Sequence, residues 1–554
     1  MSTCLQCHQN FEIRKEELAF YDQVSPVIAG QRLKLPAPKL CPPCRQQRRL
    51  AFRNDRVLYH RKCDSSGRQI ISIYNSDAEF PVYSPEVWFG DSWDPRDYGQ
   101  VFDFSRPFFE QFAELQKKVP RLSLISTNNE NCDYCNLVGD SKNCYLLYGS
   151  VYCEDSYYGN PFFSKQAVDS TMVRNSEITY ECVDSTKLYN CFYCQDCFNS
   201  QNLIMCFDVD NSHDCFLSVG LRRKSYCILN QQYTKDEYEK KLREIKFGSY
   251  ETIQALWKKF RELKLKSPHK YMSGSGNENV IGDHVSNSSH CNHLFFSGDC
   301  ENVHFSSHVN KVNNSMDTDY GEVSEWIYEM SGYYKISNVV LSHWCWEASN
   351  LIYSSTCTRG ASSSFGSISL KRHQYCILNK QYTKREYEKL VPRIVEHMKE
   401  TGEWGEFFPV SVSPFAYNET IAQDYFPLSA AEVKEEGWSW RQELETKSYR
   451  GPEFKMPDVI GEVKDDICKQ ILVCEDTGRP YKIIPQELKF YQDHQIPLPR
   501  KSPDARHRDR LSLRSGMRLY DRHCFNCSAD IKTTYAPERP EKVYCEKCYL
   551  AEVY

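Results

Sequence analysis

The chain has 554 residues, 69 Lys or Arg against 74 Asp or Glu, and a formal net charge of -5. A single hydrophobic core stops growing at about 250 to 300 residues, so this length predicts several folding units, and the charge balance excludes a globally basic nucleic-acid binder while leaving room for local basic patches. Twenty-seven cysteines, with no apolar run behind a basic start and no stretch of 18 apolar residues, argue for reduced thiols in a soluble cytoplasmic protein rather than a secreted disulfide scaffold.

Residues 1–90 read as the first unit. Cys4 and Cys7 form one C-x2-C pair and Cys41 and Cys44 a second; four thiolates in two such pairs can close a tetrahedron around Zn2+ and leave no position for water. The second pair opens a predicted helix, Arg45-Gln-Gln-Arg-Arg-Leu-Ala-Phe-Arg53, on which Arg45, Arg49 and Arg53 stand four apart and share one face. From Arg45 to Lys62 there are seven Lys or Arg against one Asp, a stripe able to neutralise phosphates. The competing reading is a solvated helix face with acidic partners inside the molecule. Cys4-Leu-Gln-Cys7-His8 also satisfies the c-type haem attachment pattern, but that chemistry would require export and leave Cys41 and Cys44 idle. Residues 91–125, with Trp93-Asp-Pro-Arg-Asp-Tyr98 and Phe108-Phe-Glu-Gln-Phe112, read as an aromatic helical connector whose rings pack a core.

Residues 126–265 and 277–400 are rich in Cys, Tyr, Asn, Ser and Asp and show little helical periodicity. Their cysteines recur nine apart, as in Cys135, Cys144 and Cys153, or Cys197, Cys206 and Cys215. Short strands and polar turns at fixed intervals predict a β-solenoid of parallel β-helix type, with small Cys side chains stacked inside. The region is doubled: Tyr226 to Lys240 and Tyr375 to Lys389 match at 13 of 15 positions with an offset of 149. Each copy enters a helix through a capping box, Thr234 with Glu237 and Thr383 with Glu386, so each half reads as a solenoid closed by a capping helix. Lys266 to Gly276 reads as the linker between halves, and 401–465, charged and weakly periodic, as a loosely packed connector.

Residues 466–554 repeat the first unit. Phe11 to Tyr21 returns as Tyr481 to Tyr491, and Arg45, Arg49, Arg53 and Cys63 return as Arg506, Arg510, Arg514 and Cys524. Each copy has room for two four-ligand sites and keeps a different one. Cys4, Cys7, Cys41 and Cys44 face Cys474, Thr477, Ser502 and Ala505; Cys524, Cys527, Cys545 and Cys548 face Cys63, Ser66, Ser84 and Val87. Ser and Thr are poor zinc ligands beside thiolate, and Ala and Val are none, so two zinc ions per chain are expected, not four. Both modules resemble treble-clef zinc fingers and zinc ribbons, a resemblance that covers about a third of the chain and implies structural rather than catalytic zinc.

The reading is therefore a multidomain, mainly β protein, two small treble-clef zinc modules flanking a doubled parallel β-helix-like solenoid with capping helices. Its expected function is that of a non-catalytic zinc-binding scaffold contacting RNA or DNA through Arg45, Arg49, Arg53, Arg506, Arg510 and Arg514. The alternatives are a scaffold that binds protein along the solenoid face and a carbohydrate-active β-helix enzyme. No Walker loop, dinucleotide fingerprint, Ser-hydrolase elbow or H-E-x-x-H motif is present.

Overall fold

A computed structural model describes residues 1–442, 451 and 454–553. Two stacks of parallel strands occupy the middle of the chain. In the first, from Ser126 to Ile228, most strands pair with chain twelve residues on, as in Asn136 with Tyr148, Glu177 with Tyr189, Leu203 with Cys215 and Cys215 with Cys227, with a one-residue shorter turn at Tyr157 with Val168. The second, from Gly274 to Ile377, has the same advance in its middle, as in Asn292 with His304 and Leu294 with Ser306, with turns of eleven at Gly274 with Val285 and thirteen at Ser349 with Ser362. The structural repeat is thus twelve residues, which corrects the nine-residue period read from the cysteines.

The backbone explains both numbers. Every third residue has positive φ, as at Asn128, Asn131, Tyr134, Leu137, Asp140, Asn143 and Leu146, and the residue after each such corner turns inward: Cys135, Val138, Ser141, Cys144 and Leu147 are buried. A turn of twelve is four tripeptides. The left-handed corner favours Asn and Asp, and stacked corners ladder: the Asn131 amide donates to Asn143 at 3.3 Å, Asn143 to Asp155 at 3.1 Å, and Asn190 to Asn202 at 2.9 Å. Inward positions hold either apolar Val and Leu or small Ser and Cys, whose polar atoms satisfy the backbone they touch. Ser176 Oγ accepts the Leu188 N–H at 2.9 Å and donates to the Arg174 carbonyl at 2.8 Å. Cysteine thiols reach the carbonyl nine residues on, as Cys182 to Cys191 at 3.2 Å and Cys206 to Cys215 at 3.5 Å. Nine residues is three sides of the turn, which is why the cysteines show that interval. All 27 cysteines are free thiols.

Each stack ends in an antiparallel hairpin, Ser225–Ile228 with Gln231–Gln232 and Cys376–Ile377 with Lys380–Gln381. The predicted capping boxes follow. Thr234 and Glu237 open the helix Lys235–Arg243, and Thr383 and Glu386 open Lys384–Glu400.

The terminal modules cross over. Helices Lys15–Val24 and Pro42–Leu50 of the N-terminal module lie on the second stack, where Tyr21 meets Tyr328 at 5.3 Å between ring centroids. Helices Pro485–Asp493 and Pro503–Leu513 of the C-terminal module lie on the first, where Tyr491 meets Tyr180 at 5.6 Å. Two sequence expectations are corrected. The 266–276 segment is no free linker, because Pro268–Lys270 pairs in parallel with Lys542–Tyr544. The 401–465 connector is well packed over its described part. Trp404, Phe407 and Phe408 join the cluster of Phe52, Phe112 and Tyr353, and Tyr417, Ile421, Ala422 and Val433 pack on Leu50 and Ala51. Its sequence lacked periodicity because it contributes rings from short 3-10 turns and helices of five or six residues, too short to show a helical pattern. Residues 443–450, 452 and 453 of that connector lie outside the described residues.

Candidate functional site: two metal centres and their arginine helices

Four tight turns share one hydrogen-bond pattern. The N–H groups of Cys4, Cys63, Cys474 and Cys524 donate to the carbonyls of Gln9, Arg68, Arg479 and Ala529 at 2.8 to 2.9 Å. The carbonyl of each cysteine accepts from a residue of positive φ four positions on, namely His8, Gly67, Gly478 and Ser528. All four knuckles have kept their shape, and two have kept their ligands.

Cys4, Cys7, Cys41 and Cys44 converge with all sulfurs within 4.8 Å of one another, as do Cys524, Cys527, Cys545 and Cys548. Cys7 lies 3.6 Å from Cys41, and Cys527 3.7 Å from Cys545; a tetrahedron with metal–sulfur bonds of about 2.3 Å has edges of about 3.8 Å. In each set the second pair stands at a helix start. Cys41 is the N-cap of Pro42–Leu50 and Cys545 precedes Glu546–Val553, where the exposed N–H end favours a thiolate. The Cys41 N–H donates to Cys4 Sγ at 3.3 Å and the Cys545 N–H to Cys524 Sγ at 3.2 Å. Burial alone would raise the Cys524 thiol, but backbone donors from Cys527, Cys545 and Asn526 bring it down to about 6. Both sets could therefore hold a metal ion.

In the degenerate copies Cys63 faces Ser84, whose N–H still donates to the Cys63 sulfur at 3.4 Å, and Ser502 uses its hydroxyl to cap Ala505 at 3.4 Å. These knuckles stand by hydrogen bonding and packing.

The arginine stripes do not face solvent. Arg45, Arg49, Arg53, Arg506, Arg510 and Arg514 are between 0 and 7 % exposed, whereas the expected phosphate contacts would need them at the surface. Arg45 Nε donates to Asp317 at 3.0 Å, and Arg49 Nε to Asp319 at 2.9 Å, with Glu329 3.3 Å away. In the other module Arg506 pairs with Asp169 at 3.1 Å and Glu487 at 3.2 Å, and Arg510 with Asp169 at 2.8 Å and Glu181 at 3.3 Å. Asp169 and Glu181, like Asp317 and Glu329, stand twelve apart on successive turns of a stack. That acidic pair, repeated in both halves, was the signal in the sequence that the arginines had internal partners; it is legible only once the twelve-residue period is known.

The last arginine of each helix ends among rings. Corner residues His284, Phe296, His308 and Tyr320 stack at 5.0, 5.1 and 4.5 Å between centroids. The next corner is Gly332, and the Arg53 guanidinium fills the gap, 4.0 Å from the Tyr320 ring and 4.9 Å from Trp344, while pairing with Asp55 at 2.9 Å. Arg514 lies 4.0 Å from the Phe296 ring and holds Asp184 at 3.0 Å. Asp184, Asp196 and His284 form a third group of close ligand atoms. Arg514 already neutralises Asp184, and His284 Nε2 lies 2.8 Å from Asp196, so it is an ion-pair network. These rings and acids line a cavity of about 760 Å³ between the stacks.

No helix among the described residues is long and apolar enough to cross a membrane. No family model and no curated protein matches the chain. Among solved structures, the chain is similar to a proposed acetyltransferase from Desulfovibrio desulfuricans G20 at 10% identity and a TM-score of 0.10, over 44% of this chain and 63% of that one. It thus spans less than two thirds of that protein, and a likeness so low bears on neither fold nor function.

Proposed function

We propose that the protein is a non-catalytic zinc-binding scaffold, in which two treble-clef zinc modules brace a doubled β-solenoid. The observation that carries this reading is the burial of all six stripe arginines on the two stacks, five of them paired with stack acids and Arg53 packed on the Tyr320 and Trp344 rings. The N-terminal centre then works through the helix it anchors, Pro42–Leu50, whose arginines lock that module onto a solenoid half; the C-terminal centre anchors Glu546–Val553, while the docking helix Pro503–Leu513 starts at the ligand-free knuckle and is held by its ion pairs. Zinc is favoured because four thiolates in a closed tetrahedron suit it and leave no open position for a reacting water. Nucleic acid is not recognised through these helices, and recognition falls to the solenoid body, its outer face for a protein partner or the cavity between its halves.

The test is hydrogen exchange on the full chain before and after chelation. The scaffold reading expects amides of Pro42–Leu50 and Glu546–Val553 to lose protection on chelation and regain it with added zinc. Unchanged protection in metal-free protein would sink it.

A further inference from the structure

The charged groups facing the cavity are paired within the protein, with one exception on each wall. Of its four arginines, Arg53, Arg222 and Arg514 are held by Asp55, Asp208 and Asp184. The fourth, Arg174, comes from the first stack. Its guanidinium lies 4.3 Å from the Phe162 ring and, among the described residues, has no hydrogen-bond or ion-pair partner. Glu322 comes from the second stack, lines the same cavity, and its carboxylate is likewise without a partner among the described residues. The two are close enough to feel each other electrostatically but do not form an ion pair.

Burial draws the Arg174 pKa down and only Glu322 opposes it; burial pushes Glu322 up against Arg174 and Lys311. Each charge is half-buried and poorly compensated by the protein where it stands, and a charge with reduced access to water and no partner is costly. A simple anion would serve Arg174 and worsen Glu322; a simple cation would do the reverse. A molecule carrying both charges serves both. The volume of about 760 Å³ lies within the range of small-molecule sites, about 300–1,000 Å³, and the Phe162 ring beneath Arg174 supplies an apolar ledge.

We propose that the cavity is a binding site for a small zwitterion of the amino-acid or short-peptide class, its carboxylate on Arg174 and its ammonium on Glu322. The site rests on the scaffold reading only in that the zinc modules hold its two walls together.

The experiment is calorimetric titration of the zinc-loaded full chain with a panel of free dipeptides, their N-acetylated and C-amidated forms, and inorganic phosphate. At least one free dipeptide should bind, each capped form at least tenfold more weakly. Arg174→Gln should remove the difference made by C-amidation and Glu322→Gln the difference made by N-acetylation, a pattern that a merely structural role would not produce. Thermal melts of both variants check that they fold. Phosphate binding as tightly as every dipeptide, or no dipeptide binding to folded wild-type protein, overturns the proposal. The chelated protein separates the two readings: dipeptide binding that survives zinc loss leaves the cavity site standing and counts against the scaffold.

Discussion

At the scale of the residue, the molecule turns on charges placed out of water and matched there. Glu17 shows what such placement does to acidity. Burial raises its carboxyl to about 7 from an ordinary value of 4.5, and Arg45 only partly offsets this; Glu487, its counterpart in the other module, is raised as well. A carboxyl raised in the folded state binds its proton more tightly there. Its stabilising contribution is complete below about pH 4.5 and is lost as pH rises through about 7. Glu17→Gln mimics the protonated form, so it should stabilise the fold and raise the unfolding temperature at pH 8, an effect of at most about 2 kcal/mol once solvent screening is allowed for, and change little at pH 4.5. Thermal melts at the two pH values check this, and an equal effect at both would show that the carboxyl does not titrate differently on folding.

At the scale of the element, the docking of Pro42–Leu50 rests on Asp317, Asp319 and Glu329. Asp317→Asn should leave Arg45 and Arg49 short of a counter-charge at a fully buried site, a loss of about 3–5 kcal/mol. Urea unfolding read by tryptophan fluorescence, beside the wild-type chain, measures it; a cost under 1 kcal/mol would mean the clamp is electrostatically slack. Much at this scale was legible in the sequence. Both capping boxes are local, three residues wide, and formed as read. The parallel strands were signalled by the recurrence of Cys, Asn and Asp. Their period was misread because cysteine marks only some inward positions, while Ser, Val and Leu fill the others. The arginine stripes were visible as stripes, but spacing along a helix says which residues share a face and not what covers it. The stack acids that pair with Arg45 and Arg49 lie more than 260 residues away, and those that pair with Arg506, Arg510 and Arg514 more than 300, and only the fold brings them together.

At the scale of the whole molecule, the chain is a duplication in which each terminal module sits on the distant stack. The N-terminal helices reach residues beyond 300 and the C-terminal helices return to residues near 170, so the ends tie the middle together. The metal sets were the most legible feature of all, since paired thiols at fixed spacing need no tertiary knowledge, and comparing the two copies marks Ser84, Val87, Ser502 and Ala505 as lost ligands. What sequence could not supply was the cavity, whose walls come from both stacks and both modules, with Arg174 and Glu322 148 residues apart. The most direct test of the account is the mass of the intact, natively purified chain, measured by native mass spectrometry with elemental identification of the metal. Two zinc ions on 27 reduced cysteines is the predicted result. Four ions, a metal other than zinc, or a metal-free chain carrying disulfides between Cys4, Cys7, Cys41 and Cys44 would contradict it.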